Sequence, residues 1–210
     1  MSDLVRLFRV LASAPRLRVL RLLTRNSECT VGQLADRLSL SLPLVSKHLA
    51  LLRTNGVVAT RREGRRVFCR LTEPEGEAFT DTLLKWLAPL LRRGPDTTLE
   101  QVWPASTSLG PSEVDFIRAF TAYTYERRLE MLGVSLQRPQ TTVTDWMDAL
   151  RMSPQAARRQ TRKLTARNVL REVSAPAEPR YQPARAFAFR WEAQLFTIVT
   201  AELRRRLGHT

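Results

Sequence analysis

VGQLADRLSLSLPLVSKHLALLRTNGVV, residues 31–58, carries two helical patterns separated by a turn. In the first, Val31, Leu34, Ala35 and Leu38 fall on one face of a short helix over 31–38, and Thr30 stands where a cap is wanted. Ser39 to Pro43 reads as a turn. Ser41 is placed to cap the second helix, Pro43 suits its first turn, and Val45, Leu49 and Leu52 face inward as far as Thr54. Asn55-Gly56 ends it with a residue that tolerates positive φ. Left facing outward are Leu42, Pro43, Leu44, Ser46, Lys47, Ala50 and Arg53.

Working outward, Leu4, Leu7, Phe8 and Leu11 have helical spacing, and Pro15 opens a further helix carrying Leu17, Val19, Leu20, Leu22 and Leu23. After Gly56 the period changes. Residues 57–61 and 66–71 are strand-like, and the short link 62–65 makes them a hairpin. A Leu-rich helix follows over 75–91; it is apolar on too many sides to stand alone, so one face must pack on its own domain and another on a partner. Helix, helix, short helix, turn, basic helix, basic hairpin and apolar helix together describe a winged helix-turn-helix, mainly α with a small β-hairpin wing. In that module the second helix of the pair enters the DNA major groove with its first residues on base edges, while the wing meets phosphates or the minor groove. Residues 41–70 hold seven basic side chains against one acidic, Glu63, and the hairpin contributes Arg61, Arg62, Arg65 and Arg66.

The chain then repeats itself. Shifted by 112 residues without a gap, positions 3–60 fall on 115–172 with 13 identities in 58, among them Phe8/Phe120, Arg16/Arg128, Thr30/Thr142, Ser41/Ser153 and Leu52/Leu164. Roughly four or five would be expected from composition alone. Between the copies, 95–111 is rich in Pro, Gly, Ser and Thr and reads as a linker, with Trp103 pinning it to a domain. The expected organisation is therefore two tandem winged helix-turn-helix modules, 1–94 and 112–210. In the second, Thr142 caps a helix bearing Val143, Trp146, Met147 and Leu150. Ser153-Pro154 opens a helix to about Arg167 with Ala157, Thr161 and Leu164 inward and Gln155, Arg158, Arg159, Arg162 and Lys163 outward. Residues 151–171 hold seven basic and no acidic side chains. Pro176, Pro179 and Pro183 interrupt its hairpin and predict a distorted or longer wing, and 189–207 is the closing helix.

Over all 210 residues, 34 basic against 20 acidic side chains give a net charge of +14, which points to a polyanionic partner. Two Cys exclude a disulfide scaffold and fit a reducing cytoplasm; with two His they are too few for a transition-metal site. No apolar run is long enough to span a bilayer, and Arg6 and Arg9 break the N-terminal apolar stretch as a secretory signal would not allow. A Gly-rich phosphate loop, a nucleophile elbow and a metal triad are all missing, so no enzyme class and no cofactor is indicated.

Over residues 4–92 the chain resembles the ArsR-type winged-helix repressors, through LASAPRLRVLRLL (11–23), PLVSKHLALLRTNGVV (43–58) and REGRRVFCRL (62–71). The resemblance implies a dimeric, cytosolic transcriptional regulator that binds operator DNA, often as a ligand-relieved repressor. Residues matching its reading helix are Ser41, Leu42, Leu44, Ser46, Lys47 and His48. Many members sense thiophilic metals through a Cys-x-Cys pair; those positions here are Thr30 and Gly32, with Cys29 alone beside them, so metal sensing is not expected. Leu42 stands where a polar residue is common in the family, which puts one base contact in question.

The expected function is a DNA-binding transcriptional regulator, a repressor, reading double-stranded DNA with both modules as a pseudo-dimer within one chain. Two alternatives stay open at this stage. One is a homodimer through the first module with the second as an effector or interaction arm. The other is a winged-helix interaction scaffold that does not bind DNA. No residue set singles out a small-molecule effector.

Overall fold

The computed structural model describes residues 1–93, 111–173 and 178–208. The linker expected over 95–111, Pro111 apart, lies outside the described residues, as do Trp103 and Pro176. The described fold is mainly helical with two small antiparallel hairpins. It separates into two compact units, Arg6–Phe120 and a second made of Met1–Val5 with Thr121–Thr210.

The first unit holds most of α1 (Ser2–Leu11), then α2 (Ala14–Arg25), β1 (Cys29–Thr30), α3 (Val31–Leu38), α4 (Leu42–Thr54), β2 (Val58–Glu63), β3 (Arg66–Leu71), α5 (Phe79–Arg93) and nearly all of α6 (Glu113–Thr121). Thr30 caps α3 as expected. Its hydroxyl accepts from the Gln33 N–H while the Gln33 side chain accepts from the Thr30 N–H at 2.8 Å, a closed capping box. Leu34, Ala35 and Leu38 are buried from α3, and Val45, Leu49 and Leu52 from α4. The sheet order is β1-β3-β2, all antiparallel. β2 runs two residues further than expected, to Glu63 opposite Arg66, so the turn is only Gly64-Arg65, with Gly64 at φ +59. The Leu-rich helix begins at Phe79 rather than 75, because Gly76 is held in a turn by its N–H donating to Asp81 at 3.1 Å.

The apolar excess of α5 is accounted for inside this unit. Phe79, Leu83, Leu84, Leu87 and Leu91 are buried. Trp86 meets Phe116 and Phe120 of α6 edge-on at 6.2 and 6.3 Å, and Phe8 of α1 lies 5.9 Å from Phe79 and 5.8 Å from Phe120. Such aromatic pairs add about 0.5–1.5 kcal/mol each beyond their buried area. Arg18 of α2 ties down α6 through a two-oxygen contact to Glu113 at 2.8 and 3.0 Å.

The second unit contains α7 (Glu126–Leu136), α8 (Val143–Leu150), α9 (Pro154–Thr165), β4 (Leu170–Val173), β5 (Arg180–Pro183) and α10 (Arg190–Arg206). Its core centres on Trp146, fully buried, whose indole N–H donates to the Met131 carbonyl at 3.0 Å and whose ring lies 5.4 Å from that of Tyr181. Thr142 caps α8 with a capping box closed by Asp145. The strands β4 and β5 are four residues long against six in β2 and β3, and β5 ends at Pro183, which cannot extend a ladder. At the edge of the unit, Asp3 takes two contacts from Arg206, at 2.6 and 2.7 Å.

Several local devices recur 112 residues apart. The capping threonines are Thr30 and Thr142. The left-handed residues ending α3 and α8 are Ser39 and Arg151, and those after α4 and α9 are Gly56 and Asn168. Arg16 donates to the Val10 and Arg9 carbonyls at the end of α1; Arg128 donates to the Thr121 and Ala122 carbonyls at the end of α6. Val57 N–H donates to Leu52 and Val169 N–H to Leu164, both at 2.9 Å. Cys29 faces Cys69 across β1 and β3, and Thr141 bridges Tyr181 at the corresponding place.

Candidate DNA interface

In the first unit α4 buries Val45, Leu49 and Leu52 and turns the rest outward: Ser41, Leu42, Pro43, Leu44, Ser46, Lys47, Ala50 and Arg53 are exposed. Ser41 occupies the N-cap position, but its hydroxyl makes no capping bond; its carbonyl accepts from the Leu44 and Val45 N–H groups instead, both at 3.0 Å. The cap expected from its side chain is therefore absent, because Pro43 in the first turn already removes one N–H that would need a partner. His48 is half-buried, with Nδ1 enclosed and lacking a hydrogen-bond partner among the described residues. Burial, then the nearby Arg16 and Lys47 charges, push its pKa below the usual imidazole value. The lowered pKa favours the uncharged imidazole at neutral pH.

The wing divides its arginines by role. Arg62, Arg65 and Arg66 are exposed around the turn, and Arg62 donates to the Gly64 carbonyl at 3.1 Å. Arg61 is engaged: it pairs with Glu28 at 2.6 Å and Glu63 at 2.7 Å, and its guanidinium lies 4.3 Å from the centre of the Phe68 ring. That contact holds the Glu28 carboxyl below the usual range. Arg61 thus has two carboxylates beside it while its side chain stays about half exposed. Sequence reasoning missed Glu28, which reaches Arg61 from 33 residues away and carries no local signal.

In the second unit Gln155, Arg158, Arg159, Arg162 and Lys163 all lie exposed on α9, opposite buried Ala157, Gln160, Thr161 and Leu164. Here Ser153 does cap, accepting from the Ala156 N–H at 3.3 Å. The hairpin differs in charge. Residues 170–183 carry Arg171 and Arg180 against Glu172 and Glu178, whereas 58–71 carry five arginines against Glu63 alone. Glu172, Glu178 and Tyr181 line an open cleft of about 480 Å³ together with Arg158 and Arg162 of α9.

No group of three or more His, Cys, Asp or Glu able to hold a metal occurs among the described residues. The thiophilic-metal positions of the resemblance do not fit such an ion: the Thr30 hydroxyl is committed to its capping box and Gly32 has no side chain. Cys29 and Cys69 are both free and buried; burial raises both thiols, Cys69 to about 11, so neither is a ready thiolate. No described helix is long and apolar enough to cross a membrane.

The family model for bacterial regulatory proteins of the arsR family matches residues 14–60, from the start of α2 into β2. The chain is 39% identical to the arsenic resistance transcriptional regulator ArsR1 of Pseudomonas putida, over 39% of this chain and 70% of that relative. It is 42% identical to the transcriptional activator HlyU of Vibrio cholerae, over 37% and 70%. The chain belongs to the ArsR family. As an ArsR-family member it is a DNA-binding transcriptional regulator, and its relatives are regulators rather than enzymes. A solved structure of reduced Vibrio cholerae HlyU matches at 40% identity, covering 40% of this chain and 86% of that one, with a TM-score of 0.33. The ArsR-family match falls on the helices and strand that carry Ser41 to Thr60, so the face of α4 is the part of the interface with family support.

Proposed function

We propose that this regulator is a cytoplasmic repressor built from two tandem winged-helix modules, over 1–94 and 112–210, that read operator DNA as a pseudo-dimer within one chain. The observation that carries the reading is the recurrence, 112 residues on, of the devices that shape a winged helix: capping boxes at Thr30 and Thr142, left-handed Ser39 and Arg151, and arginines Arg16 and Arg128 closing the preceding helix. Each copy then presents an exposed helix with basic residues and no carboxylate on it, α4 and α9. In the first module Lys47 and Arg53 act with Arg62, Arg65 and Arg66 of the wing. In the second Gln155, Arg158, Arg159, Arg162 and Lys163 do the work, forks suited to guanine, adenine and phosphate.

The pseudo-dimer is favoured over a homodimer through the first module because the second apolar face of α5 is already occupied, by Phe116 and Phe120 of the same chain. Repression accords with a relative, 40% identical, that is named the arsenical resistance operon repressor of Escherichia coli. Two reading helices of unlike sequence should prefer an asymmetric site, and their spacing should match one helical turn, about 34 Å. The test joins solution mass to footprinting on the DNA upstream of the gene. A monomeric mass with protection in two successive major grooves is expected, and Lys47→Glu and Arg159→Glu each weaken binding and flatten its salt dependence. A dimeric mass, or binding indifferent to Arg159→Glu, overturns the pseudo-dimer and leaves the second module as an appended arm.

A further inference from the structure

The outward start of α4 is apolar. Leu42 is 55% exposed and Leu44 38%, and exposed Pro43 lies between them, so the first three residues of the helix form a greasy tip. Exposed Leu51, at 40%, lies about two turns further along the helix, away from the tip. Ser41 and Ser46 flank the tip, Lys47 and Arg53 lie further along the helix, and α4 carries no carboxylate. A helix start that needed only to meet phosphates would gain nothing from two exposed leucines, each of which costs free energy in water.

On the reading proposed above, from which this inference follows, these residues enter the major groove first. The groove floor offers one apolar group, the C5 methyl of thymine. Leu42 and Leu44 are two residues apart, close to opposite sides of the helix, so a helix end entering the groove meets base edges on both flanks. The basic wing and Lys47 make the surroundings complementary to duplex phosphates rather than to a hydrophobic protein partner. The corresponding residues of α9 are Pro154 and Ala156, which lack this reach. We infer that Leu42 and Leu44 are specificity-determining residues that recognise thymine by its methyl groups, so that the half-site under α4 is selected for thymines at two positions.

The experiment starts from duplexes that the full chain selects from a random-sequence pool, then replaces the thymines of the α4 half-site with deoxyuridine. This removes the methyl and leaves every hydrogen-bonding group and phosphate unchanged. Each contacted methyl lost should weaken binding about fourfold, so two should cost about fifteenfold. The double variant Leu42→Ala, Leu44→Ala should bind the thymine and deoxyuridine duplexes equally, with the salt slope of the wild type. Equal wild-type affinity for both duplexes, with binding still stronger than to a scrambled duplex, overturns the methyl reading while leaving DNA binding intact. Failure to select any duplex overturns the DNA reading and this inference with it. Deoxyuridine sensitivity that persists in the double variant assigns the methyl contact elsewhere and also overturns it.

Discussion

The helical stretches over residues 30–54 and 142–165 use the same backbone devices on different chemistry. Both begin with a threonine capping box, yet Gln33 closes the first and Asp145 the second. Both bury a large apolar side chain at the matching place, Leu34 in one and Trp146 in the other. Both expose a helix with cations, but the first has an apolar tip and an arginine-rich hairpin after it while the second is arginine-rich and followed by a charge-balanced hairpin. Backbone geometry is fixed by positions that cap, turn or fill; the outward positions are free to differ, and on the function proposed above they are the ones that would choose a base sequence.

The largest difference should appear in stability. Trp146→Ala removes a fully buried ring and one of the donors to the Met131 carbonyl, which still accepts from the Ser135 hydroxyl at 2.9 Å, so it should cost about 3–5 kcal/mol, near the upper end of the 2–5 kcal/mol expected for Leu34→Ala. Urea unfolding of the two variants checks the order. Equal losses would mean that the indole N–H contributes nothing beyond volume.

A smaller effect separates the two capping boxes by pH. Asp145 is held below the usual carboxylate value, first by the Thr142 backbone N–H and also by Arg138 at 2.5 Å. Its folded pKa is depressed, so its stabilisation is complete above the unfolded value of about 3.9 and is lost as pH falls through the lower folded value. Gln33 does not titrate. Asp145→Asn should therefore cost about 1 kcal/mol at pH 7 and progressively less in acid, whereas Gln33→Ala should cost the same at both. A pH-independent Asp145→Asn loss would assign the effect to shape.

The smallest effect concerns the two hairpins. Neutralising Glu172 and Glu178 together, as Gln, should strengthen DNA binding by up to about fivefold at low salt and by nothing measurable at high salt, because exposed charges are screened. Glu63→Gln in the first wing should do less, since Arg61 remains held by Glu28.

The order of elements in the first half was legible because each boundary carries its own chemistry: Thr30 before a helix, Asn55-Gly56 after one, and alternation from Val57 onward. The inward faces of α4 and α9 followed from period alone, as buried Val45, Leu49, Leu52, Ala157, Thr161 and Leu164 attest. Ser41 misled because a cap signal states what a side chain can do, and Pro43 had already relieved the need. What stayed hidden were contacts between residues far apart in the chain. Nothing local to Arg61 announces Glu28, and nothing local to Glu113 announces Arg18. Charge in a sequence counts side chains; only the fold says which are already spent.

Phe116 and Phe120, covering Trp86 and meeting Phe8, belong to the same chain as the rings they cover. Mass action therefore has no hold on that contact. Where separate subunits would come apart as their number per cell falls, this aromatic cover has the same occupancy at a handful of copies as at many thousands.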